Sequence, residues 1–109
     1  MIVAYPYNAM PTRVKGLLLN SSSLLLSWHS PDALYTSVIH VIEEYHVEII
    51  DGDTGDQHIY TTEDTYLLIG SLKPNHQYNF RVAAFAGERG HFSQSLTLYT
   101  LKGMCMALY

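Results

Sequence analysis

The chain has 109 residues, 48% of them hydrophobic, and a formal net charge of −4. One domain built on one apolar core fits that length, and the apolar content excludes a disordered segment. Six Lys and Arg in all cannot supply a dense basic patch, so no nucleic-acid partner is expected.

The single cysteine, Cys105, rules out an intrachain disulfide and a Cys-based zinc site. Packing alone must hold the fold. No apolar run approaches the ~20 residues of a membrane span. The opening MIVAYPYNAMPT lacks a basic start and a long apolar stretch, so it does not read as a signal peptide. The expectation is a cytosolic chain or a piece of a longer secreted or membrane protein. The loop-like start and the apolar end MCMALY favour the second.

Residues 1–10, with Pro6, read as a leading arm or linker. Thr12 to Asn20 forms a first strand in which Gly16 is expected to act as a kink or bulge. A polar turn at Asn20 to Ser23 follows. In Ser23 to His29, Leu24, Leu26 and Trp28 share one face at period two, and Leu25, Ser27 and His29 share the other. Trp28 stands where a core anchor belongs. Ala33 to Glu43 fits one helical turn or a short strand equally well. Glu44 to Ile50 alternates, with Tyr45, Val47 and Ile49 facing one way. DGDTGD, residues 51–56, is a turn rich in Asp and Gly. Strands then follow at His58 to Thr62, Thr65 to Gly70, Gln77 to Ala86 and Phe92 to Thr100. That makes about seven short strands at the spacing of an all-β sandwich.

These residues resemble a known family. Pro11 and Val14, then Leu24-x-Leu26-x-Trp28, then Tyr45-x-Val47, then Leu72-Lys73-Pro74-Asn75-x-x-Tyr78-x-Phe80-x-Val82-x-Ala84, are similar to a fibronectin type III domain. The likeness runs from about Pro11 to Thr100, leaving residues 1–10 as an arm and 101–109 as a tail. It implies a seven-stranded antiparallel Ig-like β-sandwich with Greek-key connections, strands A, B and E in one sheet and C, C′, F and G in the other. Sandwiches of this kind carry a tyrosine corner, in which a Tyr near the start of strand F bonds its hydroxyl to backbone just upstream. Tyr78 is placed for that role, with Leu72 closing the strand before it and Pro74 setting the turn. The stretch from Pro31 to Tyr45 is longer than the family's usual B–C connection. The F–G loop reads Glu88-Arg89-Gly90, which lacks the Arg-Gly-Asp order that some members use to bind integrins.

Catalytic constellations are missing from the sequence. Ser21 to Ser23 lie outside any G-x-S-x-G elbow, and there is no phosphate loop. The six histidines show no H-E-x-x-H spacing. Asp51, Asp53 and Asp56 do not match a calcium loop, because Gly55 and Asp56 occupy the positions that need Asp or Asn and then Gly. No enzyme activity, metal or cofactor is expected. Asn20-Ser21-Ser22 is an N-glycosylation sequon in the predicted A–B turn.

Two surfaces are candidates for protein contact. If Tyr66 and Leu68 point inward in phase with Leu72, then Leu67 and Ile69 point outward beside Leu25 and form an aliphatic patch on a face that is normally polar. The F–G loop offers Glu88, Arg89, His91 and Phe92 at a hairpin tip. On the other sheet, Glu48 and Arg81 are placed to pair across strands. The resemblance implies a non-catalytic protein-interaction or spacer module, extracellular or cell-surface, within a larger receptor or adhesion protein. It would contact a protein partner and neighbouring domains of the same chain. An accessory domain of a multidomain enzyme such as a receptor phosphatase, or a module of an intracellular structural array, are the alternatives.

Overall fold

A computed structural model describes residues 10–31 and 42–102. The expectations for the leading arm, for most of residues 33–43 and for the tail with Cys105 lie outside those residues. Seven strands run in order: β1 (Thr12–Asn20), β2 (Ser23–His29), β3 (Glu44–Asp51), β4 (Gln57–Thr62), β5 (Tyr66–Ile69), β6 (Gln77–Phe85) and β7 (Leu96–Tyr99). They form two antiparallel sheets, β1-β2-β5 and β4-β3-β6-β7. The chain crosses between sheets after β2, after β4 and after β5.

Alternation of apolar residues builds the core. Leu24, Leu26 and Trp28 from β2 meet Tyr45, Val47 and Ile49 from β3 and Tyr78, Phe80, Val82 and Ala84 from β6, all buried. Each Leu, Val, Ile and Phe side chain among them contributes about 1.5–3 kcal/mol by leaving water. Trp28 packs edge-on against Tyr45 across the two sheets, with ring centroids 5.5 Å apart. The Tyr45 hydroxyl lies 2.6 Å from Ser30 Oγ. The indole Nε1 of Trp28 is buried without a hydrogen-bond partner among the described residues.

Gly16 has a different job from the expected kink. It pairs regularly with Leu26, and the register shifts lie at Thr12/Lys15 and Leu18/Asn20 instead. A Cβ at position 16 would sit 2.5 Å from Leu98 Cδ1. The glycine therefore makes room for a β7 side chain to close the open edge between the sheets. β7 is also shorter than predicted. Phe92 to Ser95 stay outside the strand, although Ser93 N–H donates to Val82 O at 2.8 Å and Ser93 Oγ accepts from Val82 N–H at 3.0 Å.

The phase of β5 is opposite to the expectation. Leu24 pairs with Ile69 and Leu26 with Leu67, so Ile69 is buried, 4% exposed, and Leu67 packs against the core. Tyr66 and Leu68 point to solvent. The expectation carried the alternation from Leu72 back through the strand. Ser71 breaks it: with φ of 59° it is in the left-handed region, which resets the parity, so Ile69 and Leu72 both turn inward.

The turn from β5 to β6 is closed by Tyr78, whose hydroxyl accepts the Lys73 N–H at 2.8 Å. Asn75, φ 53°, takes the left-handed position after Pro74, a conformation that Asn tolerates. Tyr78→Phe leaves the ring packed but strands that amide. We expect a loss of about 1–2 kcal/mol in a urea melt; an unchanged midpoint would mean that the hydroxyl does not hold the turn.

Candidate functional site

Three groupings of side chains stand out on the surface, and β6 underlies two of them. The first is the β6–β7 loop. It is short and tied down from several directions. Phe85 and Arg89 form a bridge, Gly90 N–H donates to Ala84 O at 2.9 Å, and Gly87, φ 86°, donates its N–H to Glu43 Oε1 at 2.8 Å. Glu88, Arg89 and His91 are exposed at its tip, while Phe92 is half-buried. The Arg81 guanidinium lies 4.3 Å from the centre of the Phe92 ring and that of Arg89 5.3 Å, so two cations are within reach of the one ring.

Arg81 is itself fixed from below. It sits directly opposite Glu48 on β3 and donates Nε–H to Glu48 Oε1 at 2.6 Å. Glu48 also accepts from the Gln57 side-chain amide, and although it points away from the core it is only 3% exposed. The Arg81–Glu48 hydrogen bond, with the charge of Glu48 and against the effect of burial, pushes the Arg81 guanidinium pKa above its usual value. Beside them His46 shares a 2.8 Å contact with Glu44 and stacks on Phe85 at 5.1 Å. The outer face of this sheet thus carries a packed polar cluster of Glu44, His46, Glu48, Gln57 and Arg81, and the pairing of Glu48 with Arg81 across the strands is as expected.

The second grouping is the outer face of β1-β2-β5. Its residues are Leu17, Leu19, Leu25, Tyr66 and Leu68. Leu25 belongs to it as predicted, but Leu67 and Ile69 do not. Their places are taken by Tyr66 and Leu68, and β1 adds two leucines that the sequence reading left out. An apolar patch is there, made of different residues. The alternation of β1 alone, with Val14 and Leu18 on the core side, was a signal that could have found Leu17 and Leu19.

The third grouping lies at the opposite end from the β6–β7 loop. Asp51 closes β3 and accepts N–H bonds from Asp53 at 2.8 Å and Thr54 at 3.1 Å, which shapes the turn into β4. His76 Nε2 lies 2.7 Å from Asp51 and its Nδ1 3.5 Å from Asp53, while Lys73 Nζ is 3.3 Å from Asp51. The donor atoms of Asp51, Asp53 and His76 fall within 4.8 Å of one another. That spacing would suit a cation, but His76 Nε2 is hydrogen-bonded to Asp51 and the Lys73 ammonium lies beside the same carboxylate. The arrangement is an ion-pair network across the turn. Asp56, the third acid of the sequence motif, joins through its backbone, whose carbonyl accepts from Asp51 N–H at 2.9 Å. Sequence reading missed His76 because its partners are 25 and 23 positions away.

Asn20 is exposed in the β1–β2 turn. Its Oδ1 accepts from Ser22 N–H at 2.9 Å and Ser23 Oγ–H at 2.9 Å, so the carbonyl oxygen is engaged within the turn. Among the described residues no helix is long and apolar enough to cross a membrane.

Strand order and register define an immunoglobulin-like sandwich with a tyrosine corner. The family model of the fibronectin type III domain matches residues 9–99, and the chain belongs to that family. No curated relative matches it at the sequence level. Its fold is similar to the FN5 domain of Drosophila Lar, with a TM-score of 0.68, 24% identity, and 85% of this chain and 96% of that one covered. The chicken CNTN1 FN1–FN3 domains match with a TM-score of 0.68, 25% identity, 84% of this chain and 30% of that one. The twitchin kinase region from C. elegans matches with a TM-score of 0.72, 19% identity, 89% of this chain and 17% of that one. Domains of this family occur in receptors, adhesion proteins and other multidomain chains, outside and inside cells, and are generally non-catalytic.

The His76 imidazole holds the Asp51 carboxyl well below the usual carboxylate range, helped by the turn amides and Lys73 and opposed by burial. A carboxylate with a depressed folded pKa contributes stability that is present above its unfolded value, about 4, and is lost as pH falls below it. We therefore expect stability to drop between about pH 5 and pH 2, and Asp51→Asn to be less stable at neutral pH with a shallower acid limb. An equally steep limb in the variant, measured by denaturant melts across that range, would assign the acid sensitivity to other groups.

Proposed function

We propose that the chain is a non-catalytic interaction or spacer module of a cell-surface receptor or adhesion protein, with the sandwich spanning residues 11–100. One observation carries this reading. The β6–β7 loop is pre-ordered by its own hydrogen bonds and by the Glu48–Arg81–Phe92 stack, and it lifts Glu88, Arg89 and His91 into solvent. A loop that is already ordered loses little conformational entropy on binding, which favours recognition over a bare connection. Its charge pattern suits a protein surface, since both signs and a cation-flanked aromatic sit within a few residues. The exposed sequon at Asn20, remote from that loop along the strands, supports the extracellular part of the reading. A glycan there would leave the loop open.

Two measurements on cells that make the native protein test this. A membrane-impermeant biotin reagent should label it, and removal of N-glycans should lower its mass. Inaccessibility together with an unshifted mass would place it inside the cell and overturn the proposal. A photo-crosslinker introduced at position 88 should trap a protein partner on those cells, and Arg89→Glu should cut the yield several-fold without changing the melt. Equal trapping by the variant would remove the loop as the contact.

A further inference from the structure

The outer face of β1-β2-β5 has a pattern that the β6–β7 loop does not explain, and it holds whether or not the chain reaches a cell surface. Leu17, Leu25 and Leu68 stand in one row across all three strands, each paired directly with the next. Leu17 is 61% and Leu68 63% exposed. The next row is Lys15, Ser27 and Tyr66, again in register. Beyond it, exposed Arg13 lies on the β1 edge, and exposed Glu63 and Asp64 lie just before β5. The face is therefore apolar in the middle, basic along one edge and acidic along the other.

We propose that this face docks a second copy of the chain, sheet against sheet. A two-fold axis parallel to the strands and passing over Leu25 would set β1 of one copy above β5 of the other. Leu17 would then meet the second copy's Leu68, Leu25 would meet Leu25, and Arg13 and Lys15 would face Glu63 and Asp64. Two-fold contacts require a self-complementary patch, and opposite charges on opposite edges meet that requirement. An axis perpendicular to the strands through the same leucine row would stack β1 on β1 and set Lys15 over Leu19 of the second copy, leaving the acidic and basic edges apart, so the charges select the first arrangement. Four exposed apolar side chains, Leu17, Leu19, Tyr66 and Leu68, with half-buried Leu25 between them, make a patch of about a few hundred Å², of the kind that marks contact sites. That is below the ~800 Å² per partner of a stable complex, so the dimer is weak and depends on concentration.

Sedimentation of the full chain, with reductant to keep Cys105 from cross-linking copies, tests this. Between about 5 μM and 500 μM it should pass from monomer towards dimer. Leu68→Glu, at an exposed site, should weaken dimerisation at least tenfold with an unchanged melt. Lys15→Glu should weaken it too, and Lys15→Glu combined with Asp64→Lys should restore it. A chain that stays monomeric throughout, a dimer indifferent to Leu68→Glu, or a double variant no better than Lys15→Glu would each overturn the proposal. So would a monomer in which the Leu17 and Leu68 methyl groups contact residues 1–9 or 103–109, since the chain's own ends would then occupy the face.

Discussion

The bond from the Lys73 amide to the Tyr78 hydroxyl is the hinge on which the lower end of the sandwich depends. It lies between the last strand of one sheet and the central strand of the other, where the chain must change direction without a disulfide. Around it a second set of contacts converges. Thr100 Oγ1 accepts His76 N–H at 2.9 Å and donates to Lys73 O at 2.5 Å, which ties β7 to the same turn. His76 packs its ring on Tyr78 at 5.1 Å and reaches Asp51 at the end of β3. Three loops and the ends of three strands thus share one hydrogen-bonded cluster, in which each partner satisfies a polar group that burial would otherwise penalise. The acid-sensitive carboxylate of Asp51 and the tyrosine corner are parts of this one structure.

At the other end the order comes from a different source. Glu48 is nearly buried on an outward-facing position, and a lone carboxylate there would be costly. Arg81 and Gln57 neutralise that cost, and the price of the pair in desolvation argues against counting it as net stability. Its use is positional. It fixes the guanidinium beneath Phe92, and through Phe92 the approach to the β6–β7 loop. The two sheets consequently differ in character, one with a packed polar outer layer, the other with an apolar stripe between charged edges.

Much of this was legible from pattern alone. Period-two alternation in β2, β3 and β6 identified the inward residues, because each of those strands has one face on the core and a one-residue slip would expose it. The Leu-x-Pro-x-x-x-Tyr spacing located the corner. β5 was not legible in the same way. It is four residues long, three of them aliphatic, so both phases look apolar. Parity had to be borrowed from Leu72, and Ser71 in a left-handed conformation invalidated the loan. The expected patch of Leu25, Leu67 and Ile69 inherited that error. Gly16 was misread for a related reason, since its purpose is set by Leu98, 82 positions along the chain.

By itself the sequence determined the all-β class, the strand count, the core faces of the long strands and the family, since these follow from local alternation and from turn residues a few positions apart. Tertiary structure alone decided which leucines reach solvent on the short strand, that His76 joins Asp51 and Asp53, that Glu48 is buried, and that Arg81 and Arg89 both reach the Phe92 ring. Each of those depends on residues distant in sequence meeting across a sheet or a turn. Neither spacing nor composition encodes such meetings, because they are set by strand register and by single backbone angles.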